Sequence, residues 1–594
     1  MTKYYAEQKL QALKKQYNLD IRYRSVSLGG FDSIVIKGFT IVSDTSSLLL
    51  YAQTFRIKAN FRKPDFRPAR DIKGFEIEGL HIHYVRKTNQ RTGSEEEPDY
   101  ASYVRLVAEK LSSLPLYLPP YILIQGIHFS YRDENKNERT YYIPRLLISG
   151  NRFVAEMQNA EKGSQGKWIC RGTYQDDPFK ISLRLYALEQ EKISLPLLTD
   201  YTRASLCFDT LAIDLQMDKN SKGQLLRGRA GVKGLSVYHE GLSPDTIFLG
   251  KGFASYGVLV GKNFLEVDSS ATTIRYNRMQ FKPYLRIEKN ENWRLKLALD
   301  KNNFPADDFF ASLPKGLFGH LDGLKVTGEL SYHFLLDVDM TQVSNLVFES
   351  AARPRNFRIL TYGNTDLRRM NGPFVHTIYD KGSVVRRFEV GNRHPDFRPI
   401  HAISRYLPPA IMHGEDFAFY NHRGFYQEAF HKSLVENIEA RSFTRGASTL
   451  SMQLVKNVFL NSDKTMVRKL EEILIVWLIE NNRLTSKSRM LEVYMNIIEW
   501  GPNVYGITEA ARFYFAKEPA ALTLSECIFL AYIIPYPKYI RNHFNGLRLK
   551  YPYYEFFRDA VKRLAQRNLI SAEDAARAHP DLVFNGPVTG YLQR

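Results

Sequence analysis

The sequence predicts a multidomain protein, mostly antiparallel β in its N-terminal half and mainly α-helical in its C-terminal half. Three observations predict it. A chain of 594 residues is too long for one ordinary core. From about Ile21 to Asp339 it runs in short alternating apolar–polar stretches separated by Gly, Asn, Asp and Lys, as strands do. After Ser404 the apolar residues recur at helical spacing almost to the end.

Composition narrows the class. An apolar fraction of 44% and a charged fraction of 24% describe a folded, globular chain. The 36 Tyr and 37 Phe suit strands or a greasy binding surface. A net charge of +19 asks for an anionic partner: nucleic acid, an anionic membrane leaflet or a phosphorylated ligand. Nucleic acid ranks last and is not expected as a partner, because the Lys and Arg are dispersed and no recognition-helix or zinc-finger signature is present. The three cysteines, Cys170, Cys207 and Cys527, have neither metal-ligand spacing nor an even count, so each reads as a small buried apolar residue. No apolar run reaches the length of about 18 residues that spans a bilayer.

Within the strand-rich half a phrase recurs: IKGFTI at Ile36, IEGLHI at Ile77, IQGIHF at Ile124 and VKGLSV at Val232. A glycine at one fixed strand position predicts a repeated bulge or bend. The opening helix predicted at Tyr4 to Tyr17, and the DIRYRSVSLGGFDSIVIKGFTI that follows, resemble the AsmA-like proteins of bacterial envelopes. That resemblance implies a long curved sheet with an apolar groove, over residues 1–345.

Residues 346–397 read as a β connector with a hairpin turning at Asp380-Lys381-Gly382. Val467 to Ile479 then shows helical periodicity, with Leu470, Ile473, Leu474, Trp477 and Leu478 on one expected apolar face. A C-terminal tail, 546–594, carries two further helices between Tyr553 and Ala578, the second capped by Ser571.

Four blocks between these points carry chemistry. They are Glu415 to Gly424 (EDFAFYNHRG), Arg445 to Asn457 (RGASTLSMQLVKN), Arg468 to Glu472 (RKLEE), and Tyr494 through Glu499-Trp500-Gly501 to Gly506. Singly, each has an ordinary explanation. Glu415-Asp416 is then a solvated pair near a helix start. Arg468 and Glu472, four residues apart, are a surface ion pair worth about 0.3–0.5 kcal/mol. His422 is a turn histidine, and Gly501 and Gly506 are helix stops.

In this order and spacing the blocks resemble the signature motifs of glycosyltransferase family 51. This is the polymerase module of monofunctional peptidoglycan transglycosylases and class A penicillin-binding proteins. The similarity continues through Ala510-Ala511-Arg512 and Leu522-Thr523-Leu524-Ser525-Glu526 to Pro535, and Glu499-Trp500-Gly501 is most like the monofunctional branch. The resemblance implies a lysozyme-like, mainly α domain over 398–545. It also implies polymerisation of lipid II (an undecaprenyl-linked disaccharide-pentapeptide) into β-1,4 glycan with inversion and release of undecaprenyl diphosphate.

The resemblance assigns residues one by one. Glu415 matches the general base, and Glu472 the second carboxylate, associated with Mg²⁺ or Mn²⁺. Lys456, Arg468 and Lys469 match cations for the diphosphate. Gly446, Ser448, Thr449, Gln453 and Asn457 match the donor side of the substrate site, while Asp416, Phe419 and His422 match residues shaping the first motif. The residue types suit the reaction. A departing diphosphate needs its charge neutralised, and a sugar hydroxyl needs a base lifted above the free Glu pKa of about 4.3.

Two positions depart from the pattern. Ala447 replaces a second Gly, and Met452 replaces a second Gln, which takes an amide from beside the expected donor site. Ser164 and Lys167 have the spacing of a transpeptidase nucleophile pair but no companion motifs, so no cross-linking domain is expected. The family implies partners: lipid II, its growing lipid-linked glycan, a membrane surface and other cell-wall synthesis proteins. The expected location is the bacterial cytoplasmic membrane, with catalysis on its outer or periplasmic face. An anchor helix is absent from this sequence and is expected upstream of Tyr4. Phe425, Tyr426, Phe430, Leu434, Ile438 and Phe443, among Lys432, Arg441 and Arg445, form a stretch suited to headgroups or to plain helix packing. Two other classes compete: a glycan-cleaving enzyme, disfavoured by the cation cluster, and a non-catalytic lipid-binding envelope protein, disfavoured by retention of both carboxylates.

Overall fold

Alternating sequence becomes paired strands in the computed structural model. It describes residues 19–43, 48–60, 71–85, 119–132, 138–158, 167–176, 178–188, 192–194, 204–380, 383–442, 444, 446–460 and 465–593. The expected opening helix, Ser164, Phe443, Arg445 and the turn residues 381–382 lie outside these. The chain divides into two compact units. One holds Met1–His239, Thr246–Phe304 and Ser331–Arg353, and the other Glu240–Asp245, Pro305–Leu330 and Pro354–Arg594.

The strands of the first unit belong to a sheet of 22. Its resolved pairings are antiparallel except one, Ile72–Val85 against Tyr121–Arg132, which run parallel. Because side chains alternate across a strand, the register decides what each face carries. One register row reads Ile34, Ile57, Phe75, Ile122, Ile148, Phe153, Gly172, Leu183, Ile213, Ala230, Ala254, Ile274 and Phe281. It is apolar from strand to strand, and at Gly172 the missing side chain leaves room for the Phe153 ring. The neighbouring row, on the opposite face, includes Arg56, Glu76, Arg171 and Arg184, with Arg56 and Glu76 ion-paired at 3.5 Å.

The recurring glycine is a bend. Gly38, Gly79, Gly126 and Gly234 all take positive φ, between 59° and 70°, a region that L-residues with a Cβ avoid. Pairing skips there: Lys37 faces Thr54 and Phe39 faces Ala52, leaving Gly38 and Gln53 out of register. Gly79 is skipped against the same Gln53. Gly126 falls opposite Pro144, which has no N–H to contribute to a ladder. The bend therefore runs as a line across the neighbouring strands that carry Gly38, Gly79 and Gly126, and the phrases are unequally spaced in sequence because strands without the phrase lie between them.

In the second unit the hairpin forms as expected, Phe374–Asp380 with Ser383–Val390. Eight helices then build the site's frame: α1 (Leu407–Glu415), α2 (Gln427–Glu439), α3 (Leu450–Phe459), α4 (Met466–Asn481), α5 (Lys487–Ile497), α6 (Ile507–Phe515), α7 (Leu524–Ile533) and α8 (Tyr551–Gln566). Thr449, Thr465, Ser486 and Thr523 cap α3, α4, α5 and α7 through their side chains, which fixes where each helix starts. Ser571 caps the helix Ala572–Arg577 in a capping box, as its position predicted. Residues 354–397 and 546–593, placed by sequence in a connector and a tail, are part of this same unit. The Asn496 side chain holds the segment before α1 by accepting from Arg398 N and donating to Arg398 O, while Glu492 accepts from Ile400 N.

Two expectations need correction. The apolar face of α4 is turned from where periodicity put it. Leu470 is 47% exposed, Ile473 and Leu474 are half-buried, and the buried set is Glu471, Glu472, Ile475 to Ile479 and Glu480. Gly501 and Gly506 are not helix stops: Gly501 ends a short strand, Glu499–Gly501, and Gly506 precedes α6.

Candidate active site

The first carboxylate is the last residue of α1, not a residue of a helix start. Two prolines at its beginning and a buried Leu407, Ala410 and Ile411 seat this helix, and its end delivers Glu415 and Asp416 to different jobs. Asp416 is buried, accepts from Leu450 N at 3.0 Å and contacts His422 Nε2 at 2.9 Å. Those bonds tie the first motif to the start of α3. Thr449 adds a second tie, donating to Gly424 O at 2.6 Å while accepting from Met452 N. At Gly424, φ is +87° and an added Cβ would lie 2.4 Å from Val476 Cγ1, so only glycine lets this loop lie against α4.

Glu415 Oε2 accepts from Gln453 Nε2 at 2.6 Å. Desolvation by burial raises its pKa, helped by Asp416; the Gln453 hydrogen bond and Lys456 pull the other way. That environment moves a carboxylate toward the range useful to a base at neutral pH. Lys456 interacts electrostatically with Glu472 and Glu415, and its pKa is lowered first by the surrounding protein and then by Arg468 and Lys469.

Glu472 is 1% exposed, with Oε2 paired to Arg468 Nη1 at 3.1 Å and Oε1 to Lys469 Nζ at 2.5 Å. The pair at 468 and 472 is thus buried rather than a solvated surface pair. Lys469 also donates to Ser448, bringing the loop before α3 to the cluster. Among the described residues no group of three His, Cys, Asp or Glu is arranged to hold a metal ion. Both Glu472 oxygens are already taken by cations, so this donor set does not fit a resident divalent ion.

The structure therefore gathers Glu415, Gln453, Lys456, Arg468, Lys469, Glu472 and Ser448 into one electrostatic cluster. Gly446 is exposed in the adjoining loop, and Asn457 is half-buried on α3. Phe419, Thr449, Asp416 and His422 lie beneath, their side chains packed or bonded to other protein groups. Met452 is fully buried. The departure there changes core packing rather than an exposed donor-site contact, because the side chain points away from solvent.

Sequence reasoning missed a second buried network. Glu480 accepts from Ser451 Oγ at 2.5 Å and Lys487 Nζ at 2.6 Å, and the Lys487 ammonium stands 4.3 Å from the Phe419 ring. Glu471 accepts from His320 N at 2.8 Å. Tyr494 donates to Gln453 Oε1 at 2.8 Å. The available signal was an acidic residue at an apolar position of a helical repeat, as at Glu471 and Glu480.

The family model described as transglycosylase matches residues 381–554. A "biosynthetic peptidoglycan transglycosylase" of Acinetobacter baylyi is 36% identical over 155 residues, 26% of this chain and 68% of the relative. The chain belongs to the transglycosylase family. A protein of the same description from Acinetobacter baumannii is 41% identical over 149 residues, 25% of this chain and 65% of its own length. One from Nitrosomonas eutropha is 42% identical over 147 residues, 25% of this chain and 59% of its own length. This chain thus spans less than two thirds of those two relatives, and all three matches account for about a quarter of it.

Proposed function

We propose that the helical unit is a peptidoglycan glycosyltransferase that polymerises lipid II into β-1,4 glycan strands. The observation that carries the reading is the pairing of a desolvated carboxylate, Glu415, with the cations Lys456, Arg468 and Lys469 around Glu472. Glu415 takes the proton of the acceptor sugar hydroxyl, whose oxygen attacks the donor's anomeric carbon from the face opposite the diphosphate. The carbon–oxygen bond to diphosphate breaks with inversion, and undecaprenyl diphosphate leaves with its charge held by the three cations. A glycan-cleaving enzyme has no diphosphate to neutralise, so this cluster favours synthesis. The reading covers strand polymerisation alone, not cross-linking. Since the Glu472 oxygens are engaged, any role for Mg²⁺ or Mn²⁺ is assigned to the incoming diphosphate.

A lipid-linked donor also suits the surroundings. Met466 and Leu470, one turn apart on α4, are 62% and 47% exposed and flank Arg468 and Lys469. On α2 only Ser433 is buried, leaving Phe430, Leu434 and Ile438 half-covered beside Lys432. Apolar groups among cations fit the headgroup region, in keeping with a site at the outer or periplasmic face of the cytoplasmic membrane. Among the described residues no helix is long and apolar enough to cross a membrane.

For the β unit, the continuous apolar row supports an AsmA-like role in holding lipid or meeting other envelope proteins. Lipid co-purifying with the unit supports this, and a lipid-free preparation counts against it. The test of the main reading is polymerisation of fluorescent lipid II with Mg²⁺ by wild type and Glu415→Gln. Glycan ladders lost in the variant are expected; ladders unchanged in it would sink Glu415 as base.

A further inference from the structure

We propose that Tyr494 is a positioning residue, whose buried hydroxyl fixes the Gln453 amide in the one orientation that donates to Glu415. The proposal rests on the reading of Glu415 as general base.

A glutamine amide has two faces of nearly equal shape, one a donor and one an acceptor, on a soft terminal torsion. At Gln453 the choice matters. With Nε2 toward Glu415 it supplies the 2.6 Å hydrogen bond seen here; with Oε1 turned there it would face a carboxylate lone pair to lone pair. The ionised carboxylate, an acceptor only, sets the choice, and Tyr494 holds it. Tyr494 lies on α5, 1% exposed, and its hydroxyl donates to Gln453 Oε1 at 2.8 Å. A phenol can serve as donor only while protonated, and burial together with the Glu415 charge holds this one protonated far above neutral pH. Gln453 occupies Glu415 Oε2, and Oε1 has no hydrogen-bond partner among the described residues, which leaves it for the acceptor hydroxyl. The relay thus orients the carboxylate and, by donating to its charged form, offsets part of the upward pull of burial. It favours the ionised form of the base. Tyr494 is too deeply buried to touch substrate, so its effect reaches catalysis only through Gln453.

The test is the pH profile of polymerisation by full-length wild type, Tyr494→Phe, Gln453→Leu and the double variant. In Tyr494→Phe the acid limb is expected to move up by about half to one pH unit, the worth of one net hydrogen bond. On the acid limb the turnover rate falls roughly three- to tenfold with it, while KM for lipid II stays near wild type. Gln453→Leu should move the limb at least as far, and the double variant no further than Gln453→Leu, because both changes cut one relay. An unmoved limb in a folded Tyr494→Phe, or shifts that add in the double variant, would overturn the proposal. If Tyr494→Phe does not fold, 3-fluorotyrosine at 494 keeps the packing and strengthens the donor. The limb should then move down, and no movement would again overturn it. The two layers separate cleanly. Full activity in Glu415→Gln removes the base assignment, whereas a dead Glu415→Gln with a wild-type profile for Tyr494→Phe removes only the relay.

Discussion

The β unit and the helical unit solve the problem of carrying out a task in opposite ways. In the sheet one property, an apolar face, is spread over a register row that passes from Ile34 to Phe281, and each strand adds one similar side chain. Around α1, α3 and α4 the property sits in single atoms: Glu415 Oε2 against Gln453, and Glu472 between Arg468 and Lys469. A distributed surface tolerates the loss of one contributor. A hydrogen-bonded, desolvated site does not, because each removed partner leaves another polar group buried without one.

That contrast can be broken from its strongest end first. Glu415→Gln should lower the polymerisation rate by about 10²–10⁴-fold, while Ile213→Ser, in the middle of the apolar row, should leave the rate within about twofold. Ladder assays on both variants check it. Equal effects would mean that the two units do not divide labour as their chemistry suggests.

Glu472→Gln comes next. It strips the counter-charge from Arg468, whose Nε is buried without a partner among the described residues, and from Lys469, and should destabilise the helical unit by roughly 3 kcal/mol. Chemical denaturation measures this against Arg56→Ala, at a partly exposed ion pair of the sheet that is worth about 1 kcal/mol or less.

A third prediction concerns acid. His376 is 4% exposed, and burial, then Arg369, lowers its pKa to about 4. The unfolded chain binds this proton below about pH 6.5, whereas the folded chain does not until about pH 4. Its contribution to stability is therefore complete above pH 6.5 and is lost progressively as pH falls to 4, by roughly 3 kcal/mol. Urea midpoints at pH 7 and pH 5 should differ less in His376→Phe than in wild type.

The smallest effects separate two kinds of glycine. Gly424→Ala meets both a positive φ and Val476, and should lose about 2–3 kcal/mol. Gly250→Ala, also at positive φ but with nothing within 4 Å, should lose about 1 kcal/mol. Urea midpoints on the two variants give the order.

How much was legible differs between the units for physical reasons. Strand alternation and the glycine phrase are local, so the sheet and its line of bends could be read before any contact was known. The motif residues were legible by resemblance, since their order along the chain is retained. The face of α4 was not. Periodicity assumes that the buried side is the apolar side, but Glu472 is buried with Arg468 and Lys469 from the preceding turn of the same helix, and Glu471 and Glu480 are met by His320 N and Lys487 from other segments.

The sequence by itself determined the strand-rich and helical halves, the bend glycines, the Ser571 cap and which residues make up the four chemical blocks. Tertiary structure decided the rest. It buried Met452, made Asp416 and Thr449 ties between loops, left Leu470 exposed, and set Tyr494 behind Gln453. Periodicity and capping depend on neighbours a few residues away. The charge state of a carboxylate and the orientation of an amide depend on partners brought together only by folding.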